Sequence, residues 1–104
     1  MKEEWYVVDM YRDAYYPKHL VDRVKEALQR VDALLATGER QEEVIQAAFD
    51  RATIEINELA ELFEAENSEI ETVARDSIAV TVIDMLDHYD ISLDVEDALQ
   101  ERDW

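Results

Sequence analysis

The chain has 104 residues, 48% of them apolar, and a formal net charge of −17 at neutral pH. That length fits one domain with one core, and the high charge does not prevent folding because the aliphatic residues recur at regular spacing. A single glycine, a single proline and no cysteine argue against a turn-rich β fold and exclude a disulfide framework, a thiolate zinc site and a thiol nucleophile.

Residues 3–13 carry Trp5, Val7, Val8 and Tyr11 at mixed spacing and read as a short helix. Tyr15-Tyr16-Pro17 ends it, because a residue before proline avoids the α region. Pro17 then suits the first position of a second helix that runs over 17–36. Val21, Val24, Leu28, Val31 and Leu35 step by three and four along one face, and Thr37-Gly38 closes that helix. The third helix, 40–66, has the clearest pattern: Ile45, Phe49, Ala52, Ile56, Leu59 and Phe63 form a seven-residue repeat suited to bundle packing.

Ser68 with Glu71 three residues later forms a capping box, which predicts a fourth helix over 69–89. This helix is apolar around most of its circumference, with only Glu69, Thr72, Asp76 and Asp87 in a clean polar strip, so it is expected to be the most buried. The β-branched run Ile78–Ile83 also fits a strand, but segment length and the capping box favour helix. Asp90-Ile91-Ser92 reads as a loop, with Asp94 capping a last short helix to Arg102. The expected fold class is therefore all-α: a compact bundle of three long helices (17–36, 40–66, 69–89) with short N- and C-terminal helices, in one domain over 1–104.

The acids are unevenly placed. Residues 1–40 hold seven bases and eight acids, whereas residues 41–104 hold three bases and 19 acids. Phosphates would be repelled at long range, so nucleic acid and anionic membrane are not expected partners. The longest apolar run, Ile78–Ile83, is far short of the ~20 residues of a membrane span. The acidic start Met1-Lys2-Glu3-Glu4-Trp5 does not resemble a signal peptide, so a cytoplasmic location is expected.

Several polar constellations stand out. Glu71 and Arg75, four apart with Glu first, lie beside Ile78 and Val82 and are expected to form a partly buried ion pair. Its ordinary role would be packing, its functional role a substrate or partner anchor. Asp84 and His88, also four apart, lie on the side of Ile70, Ala74 and Thr81. Such a pair can begin a metal site in a bundle, but a second Glu-x-x-His is absent, and a carboxylate–imidazole hydrogen bond is the simpler reading. Asp90, Ser92, Asp94 and Glu101 match EF-hand positions 1, 3, 5 and 12. Val95 stands where that loop needs glycine, so the match is accidental. No nucleophile elbow, Gly-rich phosphate loop or serine–histidine pattern appears. No residue is assigned as catalytic, and no cofactor or metal is expected.

Ile54 stands opposite the core face of the third helix, among Asp50, Glu58 and Glu61. An apolar residue ringed by acids fits a partner surface, unless the amino-terminal segment covers it. Tyr15 and Tyr16 are candidate aromatic anchors at its edge. Tyr15-Tyr16-Pro17-Lys18 is similar, over three or four residues, to the Tyr-Tyr-Pro turn with which colicin DNase immunity proteins, small acidic helical proteins, hold their toxin. In that family the turn sits later, between short helices.

A longer pattern covers nearly the whole chain: Met10-Tyr11-Arg12-Asp13, Tyr15-Tyr16-Pro17-Lys18, Leu20-Val21-Asp22, Glu55-Ile56-Asn57, Ser68 to Asp76, and the terminal Arg102-Asp103-Trp104. It resembles a family of small bacterial proteins, domain-of-unknown-function family 5713. The resemblance implies a helical domain of bacterial, cytoplasmic origin and supplies no activity or catalytic residue. The stretch Ile78–Asp90 departs most from the pattern.

Two functions follow from these features. The first is a non-enzymatic acidic protein-binding module, such as an inhibitor or immunity-type protein for a basic partner. The second is a small metal-binding or enzymatic helical domain using Glu71, Arg75, Asp84 and His88.

Overall fold

Apolar residues spaced by three and four become three long helices joined by short connections. The computed structural model describes residues 1–104. A 3₁₀ turn at Glu3–Trp5 precedes α1 (Val8–Arg12), α2 (Lys18–Ala36), α3 (Glu42–Ala65), α4 (Thr72–His88) and α5 (Val95–Ala98), and there are no strands. The fold is all-α. The run Ile78–Ile83 lies inside α4. No helix is long and apolar enough to cross a membrane.

α2 and α3 form an antiparallel hairpin, in which His19 meets Glu66 at one end and Arg30 meets Glu55 further along. At 1.5 Å per residue α3 is about 36 Å long, and it sets the longest dimension of the molecule, 39 Å. α1 packs mainly on α4, and α5 sits against both α3 and α4. One cluster of 25 buried apolar residues joins these elements. Every α2 and α3 residue of the two sequence repeats is in it: Val21, Val24, Leu28, Val31 and Leu35 from α2, and Ile45, Phe49, Ala52, Ile56, Leu59 and Phe63 from α3. Removing a ring such as Phe63, which is wholly buried, would cost about 3–5 kcal/mol.

The helix ends differ from the sequence reading in an instructive way. α3 closes with Asn67 in the left-handed region (φ 62°). The Ser68 N–H donates to the Phe63 carbonyl at 2.9 Å, and the Asn67 N–H to the Glu64 carbonyl at 3.1 Å. This is a Schellman closure, which satisfies two otherwise orphan carbonyls. Ser68 therefore terminates α3 and does not cap α4. The expected start at residue 69 moves to Thr72, with Glu71 as the N-cap. α4 ends by the same device: Asp90 has φ 55°, and the Ile91 N–H reaches the Leu86 carbonyl at 2.8 Å. The expected N-terminal helix over 3–13 is also interrupted, because Val7 adopts φ 39° between the 3₁₀ turn and α1.

That conformation is strained for a β-branched residue, and two tertiary features hold it. The Val7 side chain is fully buried, and its N–H donates to Thr81 Oγ1 at 2.9 Å. Thr81 in turn donates to the Ser77 carbonyl at 2.8 Å. The Thr81 hydroxyl is thus buried with its donor and acceptor roles both met by backbone groups.

Arg40 joins two helix ends. Its guanidinium donates to the Leu35 carbonyl at the end of α2 and to the Tyr89 carbonyl at the end of α4, and it lies over the Tyr89 ring. A cation suits both C-termini.

α4 is expected to be the most buried helix, and it is: seven of its 17 residues are buried (Ala74, Ser77, Ile78, Thr81, Val82, Met85 and Leu86), against seven of 19 in α2 and seven of 24 in α3. Val73, Val80 and Ile83 are nonetheless exposed. An apolar residue on every side leaves the buried face open to choice, and the anchoring of Val7 on Thr81 goes with the one adopted.

Candidate functional site

The acids of α3 fall into two classes. On the flank facing α2, Glu55 accepts from Arg30 at 2.6 Å and Glu66 pairs with His19 at 2.8 Å. On the flank facing the C-terminal segment, Asp50 accepts from Gln46 at 2.9 Å and from Gln100 at 3.2 Å. Asn57 there donates to the Glu101 carbonyl at 2.8 Å. Asp50, a predicted contact residue, is therefore half-buried and already engaged by the tail.

Between these flanks lies the outer face. Ile54, Glu58 and Glu61 are all exposed there, as the heptad spacing predicted. Ile54 is 44% exposed, so the amino-terminal segment does not cover it. Leu62, eight residues after Ile54 and hence on the same face, is 42% exposed and extends the patch. The sequence reading missed Leu62, although its spacing from Ile54 could have found it. Neither Glu58 nor Glu61 has an ion-pair partner within the chain.

Tyr15 and Tyr16 separate. Tyr15 is 45% exposed and lies near the end of α3, whereas Tyr16 is 1% exposed. The Tyr16 ring packs edge-on against Phe63, and its hydroxyl donates to Glu71 Oε1. Burial first, then this hydrogen bond and the Glu71 charge, pushes the Tyr16 hydroxyl above its ordinary range. Tyr16 is a core residue and not a partner anchor. Lys18 completes the knuckle by donating to the carbonyls of Met10, Asp13 and Tyr16.

The expected buried ion pair between Glu71 and Arg75 does not form. Glu71 precedes the first helical residue in extended backbone (φ −110°, ψ −158°), so helical four-residue spacing does not apply to it. Its carboxylate turns to Tyr16 and, at 3.4 Å, to the Val73 N–H. Arg75 is exposed and makes no ion pair.

Asp84 and His88 are likewise both exposed. His88 packs edge-on against Trp5 and Tyr89. About 25 Å of helix separates position 71 from position 88, so Glu71 and His88 do not share a site. No group of three or more histidine or acidic side chains is placed to hold a metal ion. In the EF-hand-like stretch, Asp94 caps α5 through the Glu96 N–H at 2.8 Å, and Asp90 supplies the closing turn of α4.

A second polar centre, Asp32, is structural. It accepts from the Tyr89 hydroxyl at 2.7 Å and from the Met1 ammonium at 3.0 Å. Burial and then Asp32 push the Tyr89 hydroxyl up to about 12. Tyr6, buried beside the same carboxylate, is raised in the same way, although its hydroxyl closes no hydrogen bond of good geometry. Tyr11 donates to Asp22 at 2.6 Å. In a chain rich in carboxylates and poor in bases, tyrosine hydroxyls supply the donors.

No curated protein and no solved structure matches the chain. A family model does, over residues 1–104, and its description is a family of unknown function. The pattern from Met10 to Trp104 and the whole-length match agree: the chain belongs to the family of unknown function DUF5713.

Proposed function

We propose that the protein is a non-enzymatic binding module for a basic protein partner, of the inhibitor or immunity type, and that the outer face of α3 is its contact surface. The observation that carries this reading is the exposure of Ile54 and Leu62 beside Glu58 and Glu61, acids with no ion-pair partner of their own. A surface that served only solubility would need the charge but not the two apolar side chains. It would also need less charge, since a magnitude of about 2–8 suffices for a small domain. The excess repels itself and lowers stability. A basic partner would relieve that repulsion on docking and would be steered to the face by the field. Apolar side chains at the centre and charges at the rim are the ordinary anatomy of a binding surface.

The test begins with capture of the partner from the source cell and proceeds to its affinity for the wild type and for Glu58→Lys/Glu61→Lys. Both residues point away from the core, so the circular dichroism spectrum and urea midpoint should hold. Affinity should fall by about tenfold or more, 1.4 kcal/mol. Equal affinity for the two proteins would remove α3 as the contact surface.

A further inference from the structure

Arg51 is out of place on a face meant for a basic partner. It is the only base in α3, it is exposed, and it is in no ion pair. It belongs to the outer stripe of the helix, in which Ala47, Arg51, Ile54, Glu58, Glu61 and Ala65 follow one another by alternating steps of four and three. That spacing keeps them on one side and is the seam pattern of a helix that packs against another.

The two halves of this surface also differ in shape. Clefts of about 350 Å³ and 240 Å³ share Leu34, Ala48 and Arg51 and so run together as one groove between α2 and the first half of α3. Val31, Leu34, Val44, Ala47 and Ala48 give the groove an apolar floor. In the second half of α3, Ile54 and Leu62 stand out instead, 44% and 42% exposed.

We propose that this surface receives a second copy of the chain, α3 antiparallel to α3, about a two-fold axis that passes between Ile54 and Glu55. Such an interface is self-complementary, and each of its contacts is made twice. Arg51 and Glu58 are equally far from the axis on opposite sides, so each unpaired arginine meets an unpaired glutamate of the other copy. Leu62 and Ala47 are also equally far from it, so the protruding leucine of each copy seats in the groove of the other. The two Ile54 side chains meet at the axis. Moving the axis to pair Arg51 with Glu61 would set Leu62 against Asp50 and lose the groove. A basic partner leaves Arg51 unexplained, whereas a second copy needs one charge of each sign on the stripe. The inference goes beyond the partner reading and does not depend on it, although the two occupants would compete for one face.

Two chains of charge −17 repel at long range. The experiment is therefore sedimentation equilibrium of the full chain at about 0.3 M salt, where that repulsion is screened. A concentration-dependent dimer is expected. Arg51→Glu and Glu58→Arg should each weaken it by about tenfold or more, because like charges then face each other. The double variant Arg51→Glu/Glu58→Arg should recover most of the loss, and Leu62→Ala should weaken the dimer several-fold. All three positions are exposed, so the far-UV spectrum should not change. A monomer at every concentration up to ~1 mM, a dimer indifferent to the single reversals, or a double variant no better than either single one would overturn the proposal. None of these results bears on the partner reading, which is tested by the affinity of the captured partner.

Discussion

Replacing Tyr16 with phenylalanine removes one hydroxyl and leaves a buried ring in place. That hydroxyl ties the segment before α2 to the N-cap of α4, 55 positions away. A hydrogen bond to a charged acceptor contributes about 1.5–3 kcal/mol. Glu71 is half-buried, so water can reach its carboxylate in the variant, and Tyr16→Phe should cost about 1.5 kcal/mol. Glu71→Ala is more severe. It strands the Tyr16 hydroxyl in the interior, about 1–3 kcal/mol, and removes an N-cap, about 0.5–2 kcal/mol. The cap contact is long, at 3.4 Å, so a total of about 2–4 kcal/mol is expected. Arg75→Ala should cost no more than about 0.5 kcal/mol, because Arg75 is exposed and unpaired. Urea unfolding followed by far-UV circular dichroism at neutral pH measures all three. The double variant Tyr16→Phe/Glu71→Ala should show a coupling of about 1 kcal/mol or more. Additive losses would refute the coupling of Tyr16 to Glu71, and an Arg75→Ala loss as large as that of Glu71→Ala would restore the ion pair.

Thr81→Val keeps the shape of a buried side chain but leaves the Val7 N–H without its acceptor. A loss of about 1–3 kcal/mol in the same assay is expected, and a neutral result would show that Val7 does not need that anchor. Alkaline pH should also unfold the protein. The Tyr89 hydroxyl is raised from 10 to about 12 by burial, the hydrogen bond to Asp32 and the Asp32 charge, with Arg40 opposing. Because the folded value lies above the unfolded one, this contribution is complete below about pH 10 and is lost as pH rises through about 12. Tyr6, Tyr11 and Tyr16 shift in the same direction. The tyrosinate absorbance of these four residues should therefore rise together with loss of helix signal, and ionisation of all five tyrosines near pH 10 with the helices intact would contradict it.

The parts of the fold that could be read from sequence are those set by local periodicity. α2 and α3 each present one apolar stripe, so their extents and buried faces follow directly. The same spacing placed Ile54, Glu58 and Glu61 outside. The start of α4 was misread because Ser68-x-x-Glu71 satisfies the capping-box pattern, while the chain uses Ser68 to close the preceding helix. The polar strip predicted for α4, Glu69, Thr72, Asp76 and Asp87, is exposed as expected, but with aliphatic residues around the rest of the helix the sequence does not show that Arg75 is exposed as well. The observed face leaves Asp84 and His88 in solvent. Glu71 found its partner in Tyr16, and Asp32 in Tyr89, across separations of 55 and 57 residues. Spacing along one helix carries no information about such pairs. A tyrosine beside a proline, in a chain short of bases, is the only sequence sign that a hydroxyl would serve a carboxylate.

The most direct test of the binding reading is the association rate of the captured partner as a function of ionic strength. Screening length falls from about 30 Å at 0.01 M to about 8 Å at 0.15 M, so steering by the acidic face should weaken across that range. The expected result is a steep fall in the association rate with salt for the wild type and a much shallower one for Glu58→Lys/Glu61→Lys. A rate that does not respond to salt would contradict electrostatic recognition and leave the charge of −17 as a property of solubility alone.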